Sequence, residues 1–221
     1  LAECIMGMRP QTGGRVLLCG EDVSRKTPGE IRRRGVSFIP EDRMTTGVDG
    51  KASVAENLLV GKQRRPEFSL LGGLHLRRRQ VKKYAAEQAK KFDIRMSGVD
   101  DPVSSLSGGN MQKVVIAREF SFDSPVLVVS QPTRGVDIGA IEFIHEHIMQ
   151  KRNEGCAILL ISADLDELFR LSDRLVTLYE GQITGSFQTE TITREEIGYY
   201  MTGGGKDELA ENAAKEEMRH G

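Results

Sequence analysis

The sequence predicts an α/β fold: a mostly parallel sheet with flanking helices. Three observations carry that reading. Val126-Leu127-Val128-Val129 and residues 156–161 are unbroken apolar runs, the pattern of strands covered on both faces. Between them, residues 139–152 set Ile141, Ile144 and Ile148 on one helical face, which makes a strand-helix-strand unit with a right-handed crossover. Upstream, Leu106-Ser107-Gly108-Gly109-Asn110 joins a glycine-rich turn to a helix that begins near Asn110. There the glycines leave backbone N–H groups unscreened, and the helix adds its positive dipole end. That combination suits an anion of phosphate size, although a Ser-Gly-Gly start also serves as a plain cap.

The remaining elements follow in chain order. Residues 1–7 read as the last turns of a helix stopped by Gly7, with Pro10 and Gly13-Gly14 in the turn beyond. Residues 15–19 make a short strand ended by Gly20, and residues 28–34 a short helix with Pro28 in its first turn. Val36-Ser37-Phe38-Ile39 is the next strand, and it delivers Pro40-Glu41-Asp42-Arg43. Residues 52–122 read as mostly helical. Val54, Leu58 and Leu59 share one face, Val81, Tyr84, Ala85, Gln88 and Ala89 another, and Gly72-Gly73 is an ordinary loop. Past residue 161, residues 174–179 and 182–187 form a hairpin about Glu180-Gly181. Thr193 then caps a last helix to Met201, with Glu195 and Glu196 in its first turn. Residues 206–221 are charged and Ala-rich, with little to bury: a frayed helix or a disordered tail.

Composition narrows the function classes. In 221 residues, 31 Lys and Arg stand against 32 Asp and Glu, so no global basic field argues for nucleic acid. No apolar run is long enough to span a bilayer, and no charged-then-apolar signal segment opens the sequence. A membrane role would therefore be one of docking. Arg64-Arg65 and Arg77-Arg78-Arg79 form a local basic run, either a solvated face or a contact with phospholipid or an acidic coupling helix. Cys4, Cys19 and Cys156 are far apart and read as buried thiols in a reducing compartment. His145 and His147, two apart, lie on different helix faces and do not form a metal pair.

The order of glycine-rich helix start, apolar strand and Ser130-Gln131-Pro132-Thr133-Arg134-Gly135-Val136-Asp137 resembles the ATP-binding cassette ATPases. Leu-Ser-Gly-Gly-Asn-x-Gln-Lys, Pro-Thr-Arg-Gly-Val-Asp and Pro40-Glu41-Asp42-Arg43 together look like the second, C-terminal cassette of double-cassette importers for simple sugars. Residues 131–145 are similar to the branch associated with nucleoside uptake. The resemblance implies a P-loop NTPase-like fold: a partial cassette over residues 1–202, a helical signature subdomain at about 52–122, and a tail at 203–221. No Gly-x-x-x-x-Gly-Lys-[Ser/Thr] occurs in the sequence, so the phosphate loop is lacking, and the chain is expected to start just after that loop of a longer parent. The interval from Glu41 to Leu106 leaves no room for the coiled-coil insertion of the DNA-repair and chromosome-structuring relatives.

The resemblance also assigns roles. Ser107, Gly108, Gly109 and Asn110 would press on ATP held by a partner cassette, with Asp137 at the same seam. Glu41 stands where the family carries a glutamine near magnesium; it would be an acceptor-only contact to the Mg2+ ion or its water, or else a solvated loop carboxylate beside Arg43. The Walker B positions hold Ser130 and Gln131 in place of Asp and Glu, and the switch histidine aligns with Ala163. Gln cannot take a proton from the attacking water, and losing a general base costs ~10²–10⁴-fold in rate. The cassette's own site is thus expected to be non-hydrolytic. Implied partners are a second cassette, transmembrane permease subunits and, indirectly, a periplasmic or lipoprotein binding protein for sugar or nucleoside, with a peripheral location on the cytoplasmic face of the membrane and no nucleic acid. Two rival classes are a soluble cassette factor of translation or repair and a regulatory interaction domain.

Overall fold

In the computed structural model, which describes residues 1–204, a three-stranded parallel sheet organises the first of two compact units, Leu1–Ile161. Its strands are β3 (Val36–Ile39), β6 (Val126–Ser130) and β7 (Ala157–Ile161), in the order β3-β6-β7. Register runs Val36 opposite Val126 to Ile39 opposite Val129, and Val126 opposite Ala157 to Ser130 opposite Ile161. Because the strands are parallel, β3 and β6 end side by side, and the loops that leave them become neighbours. The minor elements ahead of the sheet are α1 (Ala2–Ile5), β1 (Leu17–Leu18), β2 (Glu21–Asp22) and α2 (Pro28–Arg33). Ala2 and Met6 from the first helical turn, with Val23 and Ile31, bury against Val36, Phe38 and Val128.

Two expectations about strands need correction. The expected strand at 15–19 is only β1, folded back onto β2 through Cys19 and Gly20, both at positive φ, the conformation a two-residue type I′ hairpin demands. And β7 is not covered on both faces: Ala157 and Leu159, alternate residues on one face, are exposed, whereas β3 at the opposite edge of the sheet is buried throughout. Nor are the thiols buried. Cys19 stands exposed in the hairpin turn, while Cys4 and Cys156 are half-buried, and burial pushes the Cys156 thiol up.

Between β3 and β6 lie α3 (Val54–Leu59), α4 (Arg78–Lys91) and α5 (Gly108–Phe120), interrupted by a hairpin of β4 (Ser69–Leu70) and β5 (His75–Leu76). Ser53 starts α3 with a capping box to Glu56, and Val54, Leu58 and Leu59 are all buried, as are Val81, Ala85 and Ala89 of α4. Gly72 and Gly73, at φ 66° and 114°, reverse the chain and so break the helical run. The sheet and this helical stretch belong to the same unit. α5 is buried along most of its length, including Gln112, Lys113, Arg118 and Glu119. Glu119 is the anchor: its carboxylate accepts from Arg32 Nη2 (2.7 Å), Arg118 Nε (2.8 Å) and the Phe38 amide (3.2 Å), which ties α5 to α2 and β3. α6 (Ile138–Asn153) connects β6 to β7, burying Ala140, Ile144, His145 and Ile148, and His147 stacks on Phe143 with ring centroids 4.0 Å apart.

The second unit begins at Ser162 and carries α7 (Leu165–Leu171), β8 (Arg174–Tyr179), β9 (Gln182–Gln188) and α8 (Arg194–Met201). The expected hairpin is present, with an irregularity at Thr177/Leu178, and Thr184 Oγ1 donates to the Tyr200 carbonyl at 2.8 Å to hold α8 against it. Thr193 caps α8 in a capping box with Glu196. The expected tail at 206–221 lies outside the described residues.

Lys62, just past α3, is 1% exposed. Its ammonium donates to Tyr84 Oη at 2.5 Å and to Ser121 Oγ, and it lies 4.5 Å from the centre of the Phe122 ring. Burial, reinforced by the Arg65 charge, lowers its amine to about 7. An unfolded lysine keeps its proton to about pH 10.4. Over that interval the unfolded chain binds more protons, so stability rises with pH, and below about pH 7 the penalty is fully present and constant. We expect this lysine to contribute a slope of at most about 1.4 kcal/mol per pH unit above pH 7. Urea unfolding of the parent and of Lys62→Met between about pH 6 and 9 checks it; equal slopes would refute the assignment.

Candidate functional site

The site gathers at the common end of β3 and β6. An open cleft of about 890 Å³ is lined there by Phe38, Glu41, Arg43, Thr46, Ser130 and Arg134, among others. β3 supplies Pro40-Glu41-Asp42-Arg43. Asp42 caps the π-helical turn Arg43–Gly47, its carboxylate accepting from the Met44 and Thr45 amides at 2.9 and 3.1 Å, and hydrogen bonding from the Thr45 hydroxyl first, then from these amides, holds its acid below the usual carboxylate range. β6 supplies Ser130, which is buried, and Gln131, whose backbone sits at φ 49° and whose amide donates to the Ile161 carbonyl at 2.8 Å. A non-glycine residue in that left-handed region is uncommon and marks the abrupt end of the strand.

The two loops grip each other twice, in opposite senses. Glu41 forms an ion pair with Arg134. Arg43 returns the contact, Nη1 donating to the Arg134 carbonyl at 2.8 Å and Nη2 to the Gly135 carbonyl at 3.1 Å. Sequence reasoning named Glu41 but missed both arginines. Their signal was available, since each motif carries one arginine and at least one carboxylate, but charge alone did not tell which loop each would meet. Gln112 of α5 adds a third tie, its Nε2 donating to the Pro132 carbonyl at 2.9 Å.

The glycine-rich start of α5 sits against this lock. The helix begins at Gly108, two residues earlier than expected, because Ser107 takes the N-cap conformation, its Oγ accepting from the Asn110 amide at 3.4 Å. Asn110 Nδ2 donates to the same Oγ at 2.9 Å, and its Oδ1 accepts from the Arg95 amide at 2.7 Å, so this side chain braces the turn. A side chain on either glycine would press on a neighbour. A Cβ on Gly108 would lie 2.8 Å from Arg43 Nη2, and one on Gly109 would lie 2.8 Å from Asp137 Oδ2. Asp137 caps α6, its Oδ1 accepting from the Ala140 amide at 2.9 Å. Ser107, Gly108, Gly109, Glu41 and Asp137 thus form one neighbourhood with Arg43 and Arg134. Ala163 lies in the second unit, exposed, one residue ahead of the Asp164 cap of α7.

Chemically, this neighbourhood is better suited to an anion than to a metal. The first amides of α5 have no intrahelical acceptor and carry the positive end of the helix dipole, and Arg43 adds a guanidinium whose Nε is buried with no partner. A phosphate fits that donor set. Glu41 is held by Arg134, and among the described residues no three candidate metal ligands cluster.

The fold is that of an ATP-binding cassette. A solved nucleotide-free cassette of an ABC transporter superposes with a TM-score of 0.68 over 91% of this chain and 78% of that one at 24% identity, and a cassette dimer bound to ADP and Pi with 0.69 over 86% and 80% at 18% identity. A family model described as "ABC transporter" matches residues 1–134, and the chain belongs to that family. The nucleoside import ATP-binding protein NupA of Lactococcus lactis subsp. cremoris is 40% identical over 94% of this chain and 41% of its own length. The glucose import ATP-binding protein TsgD13 of Haloferax volcanii is 42% identical over 93% and 37%. The guanosine import ATP-binding protein NupO of Bacillus subtilis is 36% identical over 92% and 39%. This chain therefore spans about two fifths of the length of these curated relatives.

The close approach of Gly109 to Asp137 generates a testable coupling. Gly109→Ala should push the Asp137 carboxylate off the Ala140 amide and cost about 1 kcal/mol, the value of a helix cap, as should Asp137→Ala. The double variant should cost clearly less than the sum, since the second change removes what the first disturbs. Denaturant unfolding of the four proteins measures it, and strict additivity would show that the two positions do not interact.

Proposed function

We propose that this chain is part of the ATP-binding subunit of an importer for simple sugars or nucleosides, from its second cassette, and that it works mainly by presenting its signature to a partner cassette. One observation carries the reading: an intact glycine-rich helix start is built into the same neighbourhood as Asp137, while Ser130 and Gln131 place no carboxylate at the end of β6. The relatives named for nucleoside, guanosine and glucose import support the class of cargo.

In this reading ATP supplies the γ-phosphate that drives closure of two cassettes. Ser107, Gly108 and Gly109 receive that phosphate through backbone amides and the positive end of α5, and Asn110 keeps the turn in shape. Asp137 joins the signature to the loop after β6, so that closure at one is felt at the other. Gln131 cannot accept the proton of an attacking water, and Ser130 and Ala163 do not replace the missing groups, so hydrolysis belongs to the partner's site. Glu41 could meet a magnesium shell only after its pair with Arg134 opens. No step is assigned to the ion on this chain. Permease subunits and a substrate-binding protein are the further partners of such a subunit, which would sit on the cytoplasmic face of the membrane.

The test uses the assembled transporter and steady-state phosphate release. Ser107→Arg should lower the rate by about 10²-fold or more, the scale of removing a preorganised anion donor, because the charge fills the phosphate seat. Gln131→Ala should cost less than about threefold, far from the ~10²–10⁴ expected of a general base, and Gln131→Glu should bring no gain while Ser130 and Ala163 remain. Equal losses at 107 and 131 would overturn the division of labour.

A second measurement needs only this chain. It carries no phosphate-loop motif, so isothermal calorimetry should find Mg-ATP binding no tighter than about 1 mM. Micromolar affinity would mean that the cleft beside Glu41 and Ser130 holds nucleotide by itself.

A further inference from the structure

The β4–β5 hairpin is the most water-facing apolar feature of the helical stretch, and arginines bracket it in sequence and in space. Leu74 at its tip is 85% exposed, Leu70 46% and Leu76 38%. Isolated exposed leucines need no explanation, but here Leu74 stands at the turn while Leu70 and Leu76, on successive rungs of the ladder, expose apolar surface on opposite faces of the same eight-residue hairpin. Arg64 and Arg65 precede it, and Arg77, Arg78 and Arg79 follow Leu76 directly, all exposed. Arg64 also reaches the turn: a Cβ built on Gly73 would lie 3.4 Å from its Cγ. Nearby charges are mostly matched, Arg65 with Glu67 at 3.8 Å, Lys82 with Asp100 at 2.7 Å and Lys83 with Glu87 at 3.9 Å. Arg64, Arg77, Arg78 and Arg79 have no ion pair among the described residues and leave a local positive surplus on a chain of net charge −1.

The hairpin is also held in place. Phe68 is buried and stacks on Tyr84 of α4 at 4.9 Å, and the Arg77 amide donates to the Phe68 carbonyl at 2.8 Å, so the leucines project from a fixed base. An exposed leucine at a hairpin tip, with Arg64 against its turn and Arg77, Arg78 and Arg79 following its second strand, has the chemistry of a surface anchor: leucines enter the acyl boundary while guanidinium groups stay among anionic headgroups.

We propose that the β4–β5 hairpin is a contact for an anionic phospholipid surface. The proposal does not rest on the nucleotide chemistry above, so its failure would leave that reading untouched, and the converse also holds. The basic run that sequence alone leaves open between a solvated face and a lipid contact is thereby given an apolar partner that only the folded hairpin shows.

The experiment is sedimentation of the 221-residue chain with vesicles of phosphatidylglycerol and phosphatidylcholine, against vesicles of phosphatidylcholine alone. Binding should require phosphatidylglycerol and fall as salt rises. Each of Arg77→Gln, Arg78→Gln and Arg79→Gln should weaken partitioning about fivefold. Leu74→Asp should weaken it by more, with the melting temperature unchanged because Leu74 packs on nothing. Equal binding to both vesicle types, or binding that survives Leu74→Asp, would overturn the proposal. So would no binding to either vesicle, and that result would turn the arginines toward an acidic protein segment.

Discussion

The position of α5 depends on the Glu119 carboxylate, which has no exposure to water and would be intolerable there without partners. Arg118 beside it, Arg32 from α2 and the Phe38 amide of β3 supply them, while the Glu119 carbonyl accepts from Ser37 Oγ at 3.0 Å. These bonds converge on the C-terminal end of the helix. Arg118 extends the tie by donating to the Gly47 carbonyl at 2.8 Å, at the end of the π-helical turn that begins with Arg43. A buried ion pair of this kind contributes little net stability against an apolar substitute, but it specifies one docking angle, because a shifted helix would strand a charge. With the C-terminal end pinned to β3, the rigid helix carries Ser107, Gly108 and Gly109 to the loops leaving β3 and β6.

What happens at that far end is a matter of fit between backbones. Arg43 bonds two carbonyls of the loop after β6 and fills the space that a side chain on Gly108 would need; Asp137 does the same for Gly109. The glycines therefore serve two ends: they leave the amides open to an anion, and they let the two loops close over the helix start. Glu41 and Arg134 complete the lock from the outside. The cleft beside them is lined by these loops together with Ala2 and Glu3 of α1, Phe38 of β3 and Ile161 of β7, so polar and apolar groups share its walls.

Much of this was legible in the sequence because the relevant signals are local. The strands β3 and β6, the hairpin β8–β9, and the caps at Ser107 and Thr193 follow from apolar runs, turn residues and cap chemistry. What was not legible depends on long-range partners. The residues of β7 read as doubly covered, yet nothing in an apolar run says which face a neighbour will take. The hairpin at Ser69–Leu76 hid inside a helical stretch because two glycines read equally as loop or turn. At the site, Ser107, Gly108 and Gly109 were singled out by a glycine-rich turn before a helix together with the strand and loop that follow and the resemblance these carry, whereas the contacts of Arg43, Arg134 and Gln112 required knowing that two loops far apart in sequence leave adjacent parallel strands.

The contrast between the two halves of the site has a physical basis. A glycine-rich helix start acts through backbone amides and a dipole, so it persists wherever α5 is capped and docked, whatever the neighbouring side chains are. A Walker B site acts through carboxylates; in the proposed reading Ser130 and Gln131 stand at those positions and bring none, while β6 still pairs in parallel register with β3 and β7. The Glu119 cluster, which docks the C-terminal end of α5, passes through neither residue. A fold built this way can lose its hydrolytic side chains and keep its phosphate-facing backbone, and that separation makes an asymmetric pair of sites structurally permissible.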